Sequence, residues 1–290
     1  MKDQVELFEA ERPALLSISY RMLGERSAAE DVVQEVWLRF AGQAAVENPR
    51  AWLRRVATNI AIDTLRSARN RRETYVGPWL PEPLIHTDGS PVEAGFELAQ
   101  ECELALLWAM ERLAPVERAA FVLREAFDAD YAEIAAMLDR SEAGCRQLVS
   151  RAHKRLHAEG PRFDVSRDEA AAALERFFHA AMQDHQAALE MLAQDAMAIS
   201  DGGGKVSAAL RVLQGPEEIM QVLRAVLERE SRVGGVTFDW IRANTTPALA
   251  QYKHGVLESV IAVVPDRHGR VGWIYIMRNP EKLRPQTGVD

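Results

Sequence analysis

Apolar residues over positions 5–72 recur three and four apart, which predicts helices there. Val32, Val33, Val36, Trp37 and Phe40 form one such stripe. Gly24 is placed to stop the preceding helix. Ser27 and Glu30 read as an S-x-x-E capping box for the next one. Asn48-Pro49 predicts a third start, a capping side chain followed by proline at the first helical position. That helix is expected to reach Arg69, with Leu53, Val56, Ala57 and Ile60 toward the core. Trp52, Arg55, Asn59 and Arg66 share another face.

Helical spacing returns over 96–158. Cys102, Leu106, Ala109 and Leu113 mark one stripe, and Pro115 opens the next helix. Asp130, with Glu133 three residues on, caps a short helix. Asp139-Arg140-Ser141 makes a turn, and a last helix runs from Glu142. Its Cys145, Leu148, Val149, Ala152 and Leu156 point inward, leaving Arg146, Gln147, Ser150, Arg151 and Lys154 outside. This is the spacing of a helix-turn-helix, whose outward Arg and Gln suit base edges and whose Lys and Ser suit phosphates.

The pattern then turns to α+β. Ser166 and Glu169 form a capping box before a helix carrying Leu174, Phe177, Phe178 and Met182. Gly202-Gly203-Gly204 is a turn, and 217–231 is a helix after Gly215-Pro216. Segments 236–243, 248–253, 256–264 and 270–278 alternate as strands do. Between the helical parts, 75–95 holds Pro78, Pro81, Pro83 and Pro91 with Gly77, Gly89 and Gly95, and neither Lys nor Arg. It reads as a stiff linker. Tyr75, Val76, Trp79, Leu80 and Leu84 within it are expected to pack against something. The organisation expected is 1–72, a linker over 73–95, 96–160 and 161–290.

Composition bounds the reading. The 290 residues, 48% hydrophobic and 27% charged, are those of folded domains. No apolar run is long enough to span a membrane, no signal peptide is expected, and two cysteines cannot staple a scaffold. The net charge of −8 argues against nucleic acid until it is divided. Arg50, Arg54, Arg55, Arg66, Arg69, Arg71 and Arg72 face one acid, Asp63, within their segment. Arg140, Arg146, Arg151, Lys154 and Arg155 face Glu142. Two basic helices on an acidic chain are a footprint for phosphate contacts, and Trp52 among Arg and Asn suits stacking on an unpaired base.

Other chemistry is thin. His153 and His157 are four apart with no third ligand evident, so no metal and no cofactor are expected. The run Asp201-Gly202-Gly203-Gly204-Lys205 lacks P-loop spacing. His179, Asp184, His185, Asp195 and Asp201 are candidates for an acid–base pair in the α+β part, against the plainer reading as caps and surface groups.

The segments Tyr20-Arg-Met-Leu-Gly24, Ala29-Glu-Asp-Val-Val-Gln34 and Asn48-Pro-Arg-Ala-Trp-Leu53 through Asp63-Thr-Leu-Arg66 resemble region 2 of an extracytoplasmic-function (ECF) sigma factor. Leu113-Ala-Pro-Val-Glu-Arg118 and Tyr131-Ala-Glu-Ile-Ala135 resemble region 4. Trp79-Leu-Pro-Glu-Pro83, Asp201–Lys205 and Asn279-Pro-Glu-Lys-Leu283 resemble the SigJ-like subgroup, which carries a C-terminal SnoaL-like domain. The resemblance implies two all-α sigma domains, a region 2 bundle and a region 4 helix-turn-helix, plus an α+β cystatin-like cone. It implies core RNA polymerase as partner, through its β′ clamp helices and β flap, and promoter DNA. On this reading Glu30, Asp31 and Gln34 grip polymerase. Asn48, Arg50, Trp52, Arg55, Asn59 and Arg66 read and open the −10 element. Arg146, Gln147, Ser150, Arg151 and Lys154 read the −35 element. Trp79, Pro81, Pro83, Asp201, Gly202, Gly203, Gly204 and Lys205 form a regulatory contact through which the cone acts in cis. Asp139 stands where the family commonly has Gly, so a slightly different turn is expected. The cone leaves open an unidentified small-molecule ligand. The competing readings are a DNA-binding module fused to a cyclase or isomerase, and a ligand-gated repressor.

Overall fold

The computed structural model describes residues 2–43, 46–72, 74–86, 95–99, 101–158 and 165–283. Gly89, Pro91 and Pro161 lie outside the described residues, as do the side chains of Arg69, Arg71 and Arg72. The chain divides into two compact units, and the division does not follow chain order. One holds residues 1–74, 92–102 and 106–160. The other holds 75–91, 103–105 and 161–290.

The first unit is helical. Its elements are α1 (Lys2–Leu23), α2 (Arg26–Ala41) and α3 (Pro49–Arg72), then the end of α4 (Leu104–Ala109), α5 (Pro115–Phe127), α6 (Tyr131–Leu138) and α7 (Glu142–Ala158). Gly24, at φ 70°, ends α1 as expected, its N–H bonded to the Tyr20 carbonyl at 2.7 Å. The expected capping box on α2 does not form. The cap position is Glu25, whose side chain makes no capping bond, and Ser27 already lies inside the first turn. Glu30 instead meets Arg26 at 3.4 Å. The Asn48 cap does form, its Oδ1 accepting the Ala51 N–H at 3.1 Å. Residues 97–99 make a turn, so the helix expected from 96 starts only at Leu104.

The buried stripe of α3 is Leu53, Ala57, Ala61 and Leu65, flanked by Ile62 and by Thr58, whose hydroxyl bonds the Arg54 carbonyl. Val56 and Ile60, expected in the core, are half-buried at its edge. The helix packs on α1 and α2 and also on α5 and α6. Arg118 is fully buried, donating to the Arg21 carbonyl at 2.8 Å and pairing with Glu111. Arg54 bonds Glu11 at 3.1 Å while its guanidinium lies 5.6 Å from the Phe127 ring centre.

Among the described residues the second unit is a seven-stranded sheet with three helices. Its elements are β1 (Ile85–His86), α8 (Arg167–Gln183), α9 (His185–Met191), β2 (Leu192–Asp201), β3 (Leu213–Gln214), α10 (Pro216–Val233), β4 (Val236–Ala243), β5 (Thr246–Lys253), β6 (Val256–Pro265) and β7 (Val271–Met277). The order is β1-β4-β5-β6-β7-β2-β3, antiparallel throughout except β2 beside β7. The expected capping box forms at Ser166 and Glu169. Leu174, Phe177, Ile219, Leu249, Val263 and Ile274 meet in its core.

Strand β2 was not expected. A register shift between Leu192 and Met197 breaks its alternation, and its last residues are buried in succession, so period two is lost. The linker is part of this sheet. Ile85 and His86 pair with Ala243 and Arg242, and the Asn244 N–H donates to the Leu84 carbonyl at 2.7 Å.

Candidate nucleic-acid interface

Region 131–157 forms a helix-turn-helix through local chemistry. The Asp130 carboxylate accepts the Glu133 N–H at 2.8 Å, and Glu133 returns a bond to the Asp130 N–H at 3.0 Å. Asp139 takes the left-handed conformation itself, φ 53° and ψ 56°. Asp tolerates that region better than most residues, so the turn closes as a glycine would close it. Ser141 then caps α7, its Oγ accepting the Gly144 N–H at 3.1 Å.

On α7 the inward set Cys145, Leu148, Val149, Ala152 and Leu156 is buried, and Arg146, Gln147, Ser150, Arg151 and Lys154 are all exposed. Burial raises the Cys145 thiol pKa; Arg140 lowers it and Glu142 raises it, each by less. Several of the basic groups are tied internally. Arg146 bonds Glu142 at 2.7 Å and lies 5.0 Å from the Tyr131 ring centre. Buried Glu117 on α5 receives Arg151 at 3.0 Å and Arg155 at 2.6 Å. His153 and His157 pack edge to face, and His153 meets Glu125 at 3.0 Å. Among the described residues no group of three or more His, Cys, Asp or Glu side chains is placed to hold a metal ion.

On α3, Asn48, Arg50, Arg55, Asn59 and Arg66 are exposed. Arg50 meets Glu11 of α1 at 3.0 Å and Arg66 meets Asp63 at 2.9 Å. Trp52 is only half-buried and packs on Phe40, ring centres 5.7 Å apart. It thus covers a core edge and still presents indole to solvent. On α2, Asp31 and Gln34 are exposed and Glu30 is half-buried.

The expected regulatory residues gather in the second unit around Asp201, which is fully buried. Its Oδ1 accepts the Tyr75 hydroxyl at 2.6 Å and the Gly203 N–H at 3.0 Å. Its Oδ2 accepts the Leu80 N–H and the Lys282 ammonium, each at 2.9 Å. Lys282 also donates to the Leu80 carbonyl at 2.7 Å and lies 4.1 Å from the Trp79 ring centre. Asn279 donates to the Tyr75 hydroxyl at 2.9 Å. Pro81 and Pro83 line a small hollow with Leu80 and Tyr275. The glycines are small because space is absent. A Cβ on Gly202 would lie 2.6 Å from the Val206 carbonyl oxygen, and one on Gly203 would lie 2.5 Å from Asn279 Nδ2. Gly204, at φ 70°, abuts Val76. Lys205 is outside this cluster, paired with Glu281 at the surface. Lys282, Asn279 and Tyr75 were absent from the expected site, although Asn279 and Lys282 stand inside a segment already conspicuous in the sequence.

Of the acid–base candidates, Asp184 and His185 line one hollow with Glu228 and Glu230, and His179, Asp195 and Asp201 are not part of it. Asp184 caps α9 and Asp201 holds Lys282. A further cavity of this unit, about 750 Å³, has neither His nor Asp among the described residues that line it.

A basic helix-turn-helix beside a helical bundle defines a DNA-binding transcription protein, and the comparisons narrow the class. Sigma-70 region 2 matches residues 7–71 and Sigma-70 region 4 matches 103–156. ECF RNA polymerase sigma factor SigJ of Mycobacterium tuberculosis (strain ATCC 25618 / H37Rv) is 37% identical over 230 residues, 78% of this chain and 74% of that protein. A probable ECF sigma factor, SigI, of the same strain is 34% identical over 154 residues, 52% of this chain and 53% of that one. The crystal structure of M. tuberculosis SigJ superposes with a TM-score of 0.75 at 30% identity, covering 96% of this chain and 97% of that one. The chain belongs to the ECF RNA polymerase sigma factors. Its partners are core RNA polymerase and promoter DNA, and its fold is two helical sigma regions with a SnoaL-like α+β domain.

Proposed function

We propose a division of labour among the elements of this sigma factor. The helix α7 reads the −35 element through Arg146, Gln147, Ser150, Arg151 and Lys154. The carrying observation is that these five side chains are exposed on one face while the five between and beside them are buried. The helix α3 reads the −10 element and opens it, with Arg50, Arg55, Asn59 and Arg66 on phosphates and base edges and Trp52 on an unstacked base. Unstacking costs a few kcal/mol, which the aromatic and cationic contacts offset. Glu30, Asp31 and Gln34 meet the polymerase clamp. The linker–Asp201 cluster is the point at which the α+β unit acts on the sigma regions in cis.

Internal pairing gives this reading a physical condition. Arg50, Arg66, Arg146 and Arg151 each have an acidic partner within the chain. DNA phosphates must displace those partners, and the chain has 20 basic against 26 acidic residues before position 160. Weak binding of free DNA and dependence on polymerase follow.

We also propose that the α+β unit is not catalytic. Its cavity is lined chiefly by apolar side chains, and Glu218 and Glu230 in that lining are held by Arg211 and Lys253. Run-off transcription with purified core polymerase tests the whole reading. Promoter-specific initiation is expected, and a chain that binds promoters tightly without polymerase and represses them would overturn it.

A further inference from the structure

The cavity of the α+β unit has the size that small-molecule ligands occupy, about 750 Å³. Phe177 and Phe178 of α8, Leu223 of α10 and Leu249, Ile261 and Ile274 of the sheet are among the apolar residues of its wall. Its polar groups are largely satisfied by one another. Glu218 is held by Arg211, Glu230 by Lys253 at 2.9 Å and Arg229 at 3.1 Å, and Ser259 donates to Gln251 at 2.8 Å.

Arg278 differs from these. It lines the same cavity, and among the described residues it makes no ion pair. Its guanidinium donates to a neutral carbonyl, that of Ser207, at 2.5 Å. Burial, and secondarily Arg229, lowers its pKa, while Glu258 and Glu230 act more weakly the other way. An arginine fork has donors to spare beyond one carbonyl, and its geometry matches a carboxylate.

We propose that this cavity is a receptor site for an apolar monocarboxylate, its hydrocarbon body among Phe177, Phe178, Leu223 and Ile274 and its carboxylate on Arg278. The position of Arg278 links the site to the linker. Its backbone N–H donates to the Asp201 carbonyl at 2.7 Å, in the same turn as Gly204, which abuts Val76. The Ser207 carbonyl belongs to the loop between β2 and β3, whose Ser207, Ala208 and Leu210 line the cavity. The same loop meets the linker, where a Cβ on Gly77 would lie 3.6 Å from the Ala209 carbonyl oxygen. A carboxylate that takes Arg278 from Ser207 removes one tie on that loop. The ligand class therefore also supplies a signal for the regulation proposed above, though the site itself does not depend on that reading.

The test is calorimetric titration of the full chain with decanoate and with 2-naphthoate, each beside its neutral counterpart, 1-decanol and 2-naphthol. The assay contains neither DNA nor polymerase, so its outcome is separate from that of the transcription test. At least one acid is expected to bind one to one, and about tenfold or more tighter than its alcohol. Which acid binds distinguishes an alkyl from an aryl body. Arg278→Met is expected to abolish the preference for the acid, and Leu249→Trp to abolish binding by filling the cavity. Should Leu249→Trp lose its circular-dichroism spectrum, Val222→Trp on α10 takes its place. Failure of both acids to bind, equal affinity for acid and alcohol, or an Arg278→Met protein that keeps the preference would each overturn the proposal.

Discussion

The Lys282 ammonium and the Asp201 carboxylate, 2.9 Å apart with both side chains buried, form an ion pair inside the α+β unit. Removing one partner leaves a buried charge uncompensated, at about 3–5 kcal/mol. Asp201→Asn is expected to lower the thermal midpoint strongly, and the double variant Asp201→Asn/Lys282→Met to recover much of the loss. Lys205→Ala removes only a surface pair, worth about 1 kcal/mol or less. Thermal unfolding of the three proteins checks this ordering, and an equal loss in Lys205→Ala would contradict it.

Glu117 holds two arginines of α7 at once. Glu117→Gln is expected to loosen that helix and to reduce initiation several-fold at saturating polymerase. Arg151→Ala is expected to weaken holoenzyme binding to promoters of any −35 sequence, if the side chain leaves Glu117 for a phosphate. In that case the slope of log affinity against log salt shrinks by about 0.9. An unchanged slope would place Arg151 in the scaffold alone.

Trp52 touches Phe40 and solvent together, so its removal has two effects that one experiment separates. Trp52→Ala is expected to lower initiation on a duplex promoter by about tenfold or more. On a template already melted over the −10 element the deficit should be much smaller, because the unstacking cost is gone. Equal deficits on both templates would mean that the indole only covers the bundle.

His86 of β1 is buried, and neither ring nitrogen has a hydrogen-bond partner among the described residues. Burial, and secondarily Arg242 across the strand pair, lowers its pKa from the ordinary 6.5. The unfolded chain therefore takes up this proton at a higher pH than the folded one. The contribution of neutral His86 is complete above about 6.5 and declines as pH falls from there toward the folded-state value. Denaturant midpoints at pH 7.5 and 5.5 should differ in the wild type and differ less in His86→Leu. An identical pH response in the two would remove His86 from the balance.

Much of the fold was legible where local chemistry decides it. Gly24, Asn48, Asp130 and Ser166 act within a few residues of themselves, and the face of α7 follows from its own period. What escaped depended on distant chain. Strand β2 lost its alternation to a register shift and to neighbours on both faces. The basic windows counted Asp63 and Glu142 but not Glu11 or Glu117, which lie outside those windows and come within 2.6–3.1 Å of their arginines. The glycine turn drew notice to Lys205, while the lysine that binds Asp201 lies 81 residues on. At Ser27 the sequence pattern matched a cap, but Glu25 occupies that position without a capping bond.

The two residues of β1 make the α+β unit a non-portable module. Its sheet edge and two of the four donors to Asp201, Tyr75 and Leu80, are drawn from chain that precedes region 4. A gene fragment that begins after region 4 would encode β4 as a bare edge, together with an Asp201 stripped of Tyr75 and Leu80. Such a fragment invites edge-to-edge association. Residues 75–86 and the α+β unit are therefore to be expressed as one piece.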